Sequence, residues 1–144
     1  MKSRLLLIAL FASFSVFGQN ACKDCSDFSK NEDWTGLIEC INQKISISNS
    51  IPNLMCRVQC YGIILETTDS INLNGHLINR TEVLELTLKD LKFIIDSNPN
   101  FANGLPLQQS IFIKKELGED YCSDLKLLCE ITNKCEEYNS NCKK

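Results

Sequence analysis

Nine cysteines follow what reads as an export leader, and that combination constrains the fold more than any other feature of the chain. Met1-Lys2-Ser3-Arg4 is a short basic start. Leu5 to Phe14 is apolar except for Ser13, and Val16-Phe17-Gly18 offers a small residue at a cut position. Residues 1–18 are therefore expected to be a secretory signal peptide removed before Gln19. The apolar run is too short to span a bilayer, and no later stretch reaches the ~18 apolar residues a spanning helix needs. The remaining chain, 19–144, is expected to be one soluble, secreted, extracellular domain whose cysteines meet an oxidising compartment. It keeps 13 basic and 18 acidic side chains once Lys2 and Arg4 are gone, a balance of −5. Such a balance disfavours nucleic acid and anionic membrane as partners.

An odd number of cysteines leaves at least one thiol, either free or joining two chains in a disulfide-linked dimer. Cys40 lies off the apolar stripe of its own segment and is the first candidate for that role. Cys56 and Cys60 are four apart. On a helix their β-carbons stand about 5–6 Å apart, whereas a disulfide wants about 3.8 Å. They are poor partners for each other, so their segment is expected to act as a hub. One of the two would reach the N-terminal region and the other a later segment. Cys22-Lys23-Asp24-Cys25 has the spacing of a thioredoxin-type motif, but no strand precedes it, so redox activity is not expected. The other close cysteine pairs enclose three, six, five and six residues, which is not a zinc ribbon, and no metal or cofactor is implied.

Hydrophobic periodicity predicts mostly helix. Trp34, Leu37, Ile38, Ile41 and Ile45 mark an amphipathic helix over 33–46. After a break at 49–53, Asn53 is a candidate cap for a helix carrying Leu54, Val58, Tyr61 and Leu65. Thr67 to Gly75 reads as a turn-rich connection with Asn74-Gly75 as its clearest signal. Asn79-Arg80-Thr81-Glu82 resembles a capping box and opens a helix over 82–96 with Leu84, Leu88, Leu91 and Ile95. Ser97-Asn98-Pro99 ends it. Residues 100–105 are expected to be a loop. Pro106 opens a fourth helix closed by Gly118, although 110–114 is also rich in strand formers. A last helix is expected over 121–138. Asn79-Arg80-Thr81 is also a glycosylation sequon, with Asn79 as the acceptor.

The run Asn53-Leu54-Met55-Cys56-Arg57-Val58-Gln59-Cys60, followed by Leu73-Asn74-Gly75-His76-Leu77, resembles the insect odorant-binding protein family, the pheromone- and general-odorant-binding type. Thirty residues intervene between Cys25 and Cys56, which fits that pattern, and the resemblance covers Cys25 to about Leu88. The gap from Cys60 to Cys122 and the spacing of the last cysteines depart from it, and Cys22 and Cys40 are additional. The resemblance implies an all-α fold, a compact disulfide-cross-linked bundle of about five or six helices around an apolar cavity. It implies that Cys25 pairs with Cys60, that Cys56 pairs with one C-terminal cysteine and Cys122 with another, with Cys129, Cys135 and Cys142 as the candidates. It implies a carrier of a small hydrophobic ligand such as an odorant, a pheromone or a lipid-like molecule. Phe93, Ile94, Ile111, Phe112 and Leu125 are the candidate cavity lining, although apolar residues at such spacings equally form an ordinary core.

No catalytic constellation is present: there is no nucleophile elbow, phosphate loop or H-E-x-x-H, so the chain is not expected to be an enzyme. His76 beside the turn, and the mixed charges of Lys114, Lys115, Glu116, Glu119 and Asp120, read as solvated surface. Tyr61 and Tyr121 are candidate hydrogen-bond donors to a ligand or to backbone. A second reading is a secreted disulfide-rich interaction module, an effector or inhibitor without a cavity. A third is an α+β fold with strands at 63–65, 77–78 and 110–114, on a loose similarity of 103–113 to the C-terminal domain of TonB-type periplasmic proteins.

Overall fold

The computed structural model describes residues 22–143; the expected leader lies outside them. Among these residues seven α-helices and one two-stranded ribbon alternate along the chain: α1 Ser26–Lys30, α2 Trp34–Ile47, α3 Ile51–Thr67, β1 Ser70–Leu73, β2 His76–Asn79, α4 Arg80–Ser97, α5 Leu105–Leu117, α6 Cys122–Thr132 and α7 Glu136–Asn141. Short 3₁₀ turns occupy Lys23–Cys25 and Phe101–Gly104. The all-α class holds, with seven helices where five or six were expected. The chain divides into two compact units, Met1–Asp90 and Leu91–Lys144.

In the first unit, α2 and α3 form where the apolar stripes predict them. Asp33 caps α2 by accepting from the Gly36 N–H at 2.9 Å. Leu37, Ile38 and Ile41 are buried. α3 begins earlier than expected. Ser50, not Asn53, is its cap, and Pro52 sits in the first turn, where a missing N–H costs nothing. Asn53 instead donates to the Ser48 carbonyl at 2.8 Å. Leu54, Val58, Tyr61 and Leu65 are all buried, as are Met55, Cys56, Cys60 and Ile64, so α3 is the buried axis of this unit.

The expected connection over 67–75 is a β-hairpin. Leu73 pairs with His76 across Asn74 and Gly75, which have φ of 51° and 81°. Positive φ at both central residues is the two-residue turn that matches strand twist, and Asn-Gly is its preferred dipeptide. The Thr35 hydroxyl donates to the Asn72 carbonyl at 2.6 Å and ties the ribbon to α2. Of the three strand segments in the α+β reading, only 77–78 is strand; 63–65 and 110–114 are helical.

α4 opens on a reciprocal capping box. The Asn79 N–H donates to Glu82 Oε2 at 2.7 Å, and the Glu82 N–H donates to Asn79 Oδ1 at 3.1 Å. Its buried face is Val83, Leu84, Thr87, Asp90, Leu91 and Ile94. That face is rotated from the expected Leu84, Leu88, Leu91, Ile95 stripe because two of its members are polar. Thr87 is satisfied by donating to the Val83 carbonyl at 2.7 Å, and Asp90 by Arg57.

In the second unit the expected 100–105 loop is a 3₁₀ turn, with Ala102 and Asn103 at positive φ. α5 follows with Pro106 in its first turn and ends at Gly118, whose φ is 73°. The single last helix expected over 121–138 is two. Asn133 at φ 58° ends α6, and α7 starts after Cys135. Lys114 pairs with Asp124 at 2.8 Å, Ser110 donates to the same carboxylate at 2.6 Å, and Lys115 pairs with Glu137 and lies 5.0 Å from the Tyr121 ring. These lysines are therefore fastened between helices, where a purely solvated face was expected. No helix among the described residues is long and apolar enough to cross a membrane.

Candidate functional site

The site is built by the bridges that hold the N-terminal segment. Cys22 bonds to Cys56 of α3 and Cys25 bonds to Cys40 of α2, with Cα–Cα separations of 5.5 and 6.0 Å. Cys122–Cys142 and Cys129–Cys135 cross-link α6 with the region of α7. Each of the four bridges closes within one unit, and this set suits an oxidising compartment.

The pairing corrects the expected one at several points. Cys25 joins Cys40, not Cys60. Cys40, the first candidate for the odd thiol, is bonded. Cys56 joins Cys22 rather than a C-terminal cysteine. Cys60, expected in a bridge, is the free thiol. The hub argument holds in its first half: Cys56 and Cys60 do not join each other, and one of them reaches the N-terminal region. Its second half fails because no later cysteine among the described residues bonds to Cys60. Cys60 is buried, with 4% of its surface exposed.

Two further contacts fasten the N-terminal segment. Asp24 pairs with Lys44 of α2 at 2.7 Å. The hydrogen bond and charge of Lys44 hold the Asp24 carboxyl below its usual range. The Phe28 ring and the Asp33 cap both press on Gly36 of α2. A β-carbon there would stand 2.5 Å from each, so a glycine at this position lets α1 lie close to α2.

Between this segment and the two helices lies a half-open pocket of about 250 Å³, lined by Cys22, Lys23, Ser26, Ser29, Leu37, Gln59, Cys60 and Ile63. Its surface is predominantly apolar. Small-molecule sites usually occupy ~300–1,000 Å³, so the pocket suits a small occupant and not a long-chain lipid. The Sγ atoms of Cys22, Cys56 and Cys60 lie within 4.8 Å of one another beside it. Cys22 Sγ also stands 3.7 Å from Gln59 Oε1. A disulfide sulfur has no proton to donate, so this is packing and not a hydrogen bond. Burial pushes the Cys60 thiol up to about 12, which leaves it neutral and weakly nucleophilic. A soft metal would need thiolates, and two of the three sulfurs are consumed by the bridge.

None of the five residues expected to line a cavity lines this pocket. Ile94, Ile111 and Leu125 are buried core of the second unit, Phe112 is half-buried and Phe93 is 43% exposed. Ile94, Ile111 and Leu125 thus pack in the core, whereas Phe93 faces outward. Sequence reasoning missed Leu37, Gln59 and Ile63 as site residues. The available signal was Cys56-x3-Cys60, which marks one face of α3, but the segment laid over that face was not readable from spacing. Tyr61 is buried, and burial raises its phenol to about 12 against the opposing charge of Arg57. His76 is exposed on the hairpin. Asn79 is exposed, and its cap uses Oδ1, which leaves Nδ2, the atom a glycan would occupy, outside the capping bond.

No protein-family model matches the chain, and no curated protein or solved structure matches it.

Proposed function

We propose that this protein is an exported, extracellular carrier of a small apolar molecule held in the Cys22–Leu37–Cys60–Ile63 pocket. The observation that carries the reading is the pocket itself: a predominantly apolar recess whose one wall is a segment fastened by two disulfides and an ion pair. Covering apolar ligand area there gains roughly 25 cal/mol per Å², less the cost of ordering. A wall fixed before binding keeps that cost low. The reading rests on the pocket and not on the odorant-binding resemblance, whose disulfide pairing this chain lacks. It also moves the ligand away from Phe93, Ile94, Ile111, Phe112 and Leu125.

The interaction-module reading requires a contiguous exposed apolar patch. Ile47 of α2 and Leu77 of β2 are strongly exposed, and a specific partner recovered from extracellular fluid by pull-down with the full chain would favour that reading over the carrier.

The test is an equilibrium titration of the oxidised, ligand-stripped protein with a small fluorescent apolar probe, 1-aminoanthracene. The expected result is saturable binding at one site per chain that is lost in Ser29→Trp, whose indole fills the recess. Absence of saturable binding to a folded sample refutes the carrier reading.

A further inference from the structure

Three sulfurs within 4.8 Å of one another hold only one bridge, Cys22–Cys56, and Cys60 is left beside it. Cys56 and Cys60 share one face of α3, one turn apart, with β-carbons about 5–6 Å apart. A bridge between those two would need about 3.8 Å. Cys22 comes from a different segment and is free of that restriction. Of the three, it alone has two eligible partners.

We propose that Cys22 is a shared partner, and that the protein holds two interchangeable pairings, Cys22–Cys56 and Cys22–Cys60, whose exchange remodels the pocket.

The step is a thiol–disulfide exchange within one chain. Cys60 gives its proton to water, and its thiolate attacks Cys22 Sγ. The Cys60–Cys22 bond forms as the Cys22–Cys56 bond breaks. The electron pair leaves on Cys56 Sγ, which takes up a proton. One bridge and one thiol are present before and after, so no oxidant or reductant is consumed. Attack on Cys56 Sγ instead would produce the disfavoured bridge within a helix, so the geometry directs the thiolate to Cys22.

The pocket feels the exchange because Cys22 and Cys60 are both in its lining, on the N-terminal segment and on α3. The Cys22–Cys56 pairing leaves the space between them open. The Cys22–Cys60 pairing closes the gap of at most 4.8 Å between those two lining sulfurs and shifts the N-terminal wall along α3 towards Cys60. Cys25 stays bonded to Cys40 throughout and confines the movement to the few residues before it. Burial keeps Cys60 protonated, so exchange draws on a small thiolate population and each pairing persists between events. The coupling to a ligand rests on the carrier reading above; the exchange itself does not.

The test uses the full chain, oxidised, with no added thiol. After incubation the protein is denatured in acid, its thiols are trapped with a maleimide, and the sites are mapped by peptide mass spectrometry. The expected result is one label per chain, divided between Cys60 and Cys56, with Cys22 always bonded. Label confined to Cys60 at every incubation time overturns the proposal. A second variant reads the alternative pairing directly. C56S is expected to contain a Cys22–Cys60 bridge and no free thiol. Labels on both Cys22 and Cys60, with the other three bridges intact, overturn the proposal. If C56S does not fold, the map of the unaltered chain still decides.

Saturating 1-aminoanthracene is expected to lower the Cys56 label several-fold and raise the Cys60 label to match. Probe that binds and leaves the distribution unchanged overturns the coupling. Exchange in a chain that binds no probe refutes the carrier reading and supports the exchange.

Discussion

Arg57 of α3 clasps Asp90 of α4 with two nitrogens: Nε reaches Oδ2 at 2.7 Å and Nη2 reaches Oδ1 at 2.6 Å. Its remaining nitrogen, Nη1, donates to Asn42 Oδ1 of α2 at 2.7 Å. Burial works against the Arg57 charge, and the bonds to Asp90 outweigh it, raising the guanidinium above its ordinary range. Three helices of the first unit therefore share one polar junction. Asp90→Ala strands the guanidinium and is expected to destabilise by about 3–5 kcal/mol. Arg57→Met with Asp90→Leu removes both charges and is expected to recover most of that loss. Urea unfolding of the three variants at neutral pH measures it, and a double variant no more stable than Asp90→Ala refutes the assignment.

The Cys60 thiol and the Tyr61 phenol both sit at about 12 in the folded chain, against ordinary values of 9.0 and 10.0. The unfolded chain releases these protons first as pH rises. Their contribution is thus fully present below pH 9.0 and is lost progressively as pH climbs towards about 12. Urea midpoints at pH 8, 9 and 10 are expected to fall more steeply for the unaltered chain than for C60S or Y61F. Equal slopes would show that neither group is buried in its neutral form.

Gln109 of α5 is 1% exposed, and neither Nε2 nor Oε1 has a hydrogen-bond partner among the described residues. An unsatisfied buried amide costs about 1–3 kcal/mol, and an apolar side chain of the same shape avoids that cost. Gln109→Met is expected to raise the urea midpoint. A lowered midpoint would mean that the amide is satisfied in solution, by water for instance.

The bridges are expected to differ in what they control. In chain-entropy terms, closing 15 residues by Cys25–Cys40 is worth about 3 kcal/mol and closing 6 by Cys129–Cys135 about 2. Only the first fastens the pocket wall. C25S/C40S is therefore expected to lose 1-aminoanthracene binding, whereas C129S/C135S, confined to the second unit, keeps it. Equal loss in both variants would sink the idea that the N-terminal segment is the wall.

Asn79 serves two readings that one residue separates. Asn79→Ala removes the α4 cap and is expected to cost about 1 kcal/mol. Asn79→Asp keeps the accepting oxygen, removes the glycan acceptor and is expected to be nearly neutral. Thermal unfolding distinguishes them, and a large loss in Asn79→Asp would place the contribution of Asn79 outside the cap.

Local chemistry was legible at many points. The stripes of α2 and α3 are apolar at helical spacing. Asn79 and Glu82 form the box their spacing announces. Gly118 closes α5, and Asn74-Gly75 makes a tight turn; of the strands flanking it only 77–78 was foreseen, and that in the α+β reading. The buried face of α4 was misplaced because Thr87 and Asp90 are polar, and only a partner 33 residues away makes Asp90 a buried residue. The break at Asn133 was missed because a left-handed asparagine leaves a helical pattern on both sides.

The sequence by itself determined that the chain is mostly helical, that Cys56 and Cys60 on one helix are poor partners for each other, and that an odd thiol is left over. These are properties of spacing and parity, and they hold whatever the rest of the chain does. Which cysteine remains, and which residues surround a pocket, was decided only by tertiary structure. A disulfide and an apolar recess both depend on the approach of β-carbons from distant segments. The N-terminal turn over α2 and α3 brings Cys22 to Cys56 and Cys25 to Cys40, and leaves Cys60 at the edge of the space between them.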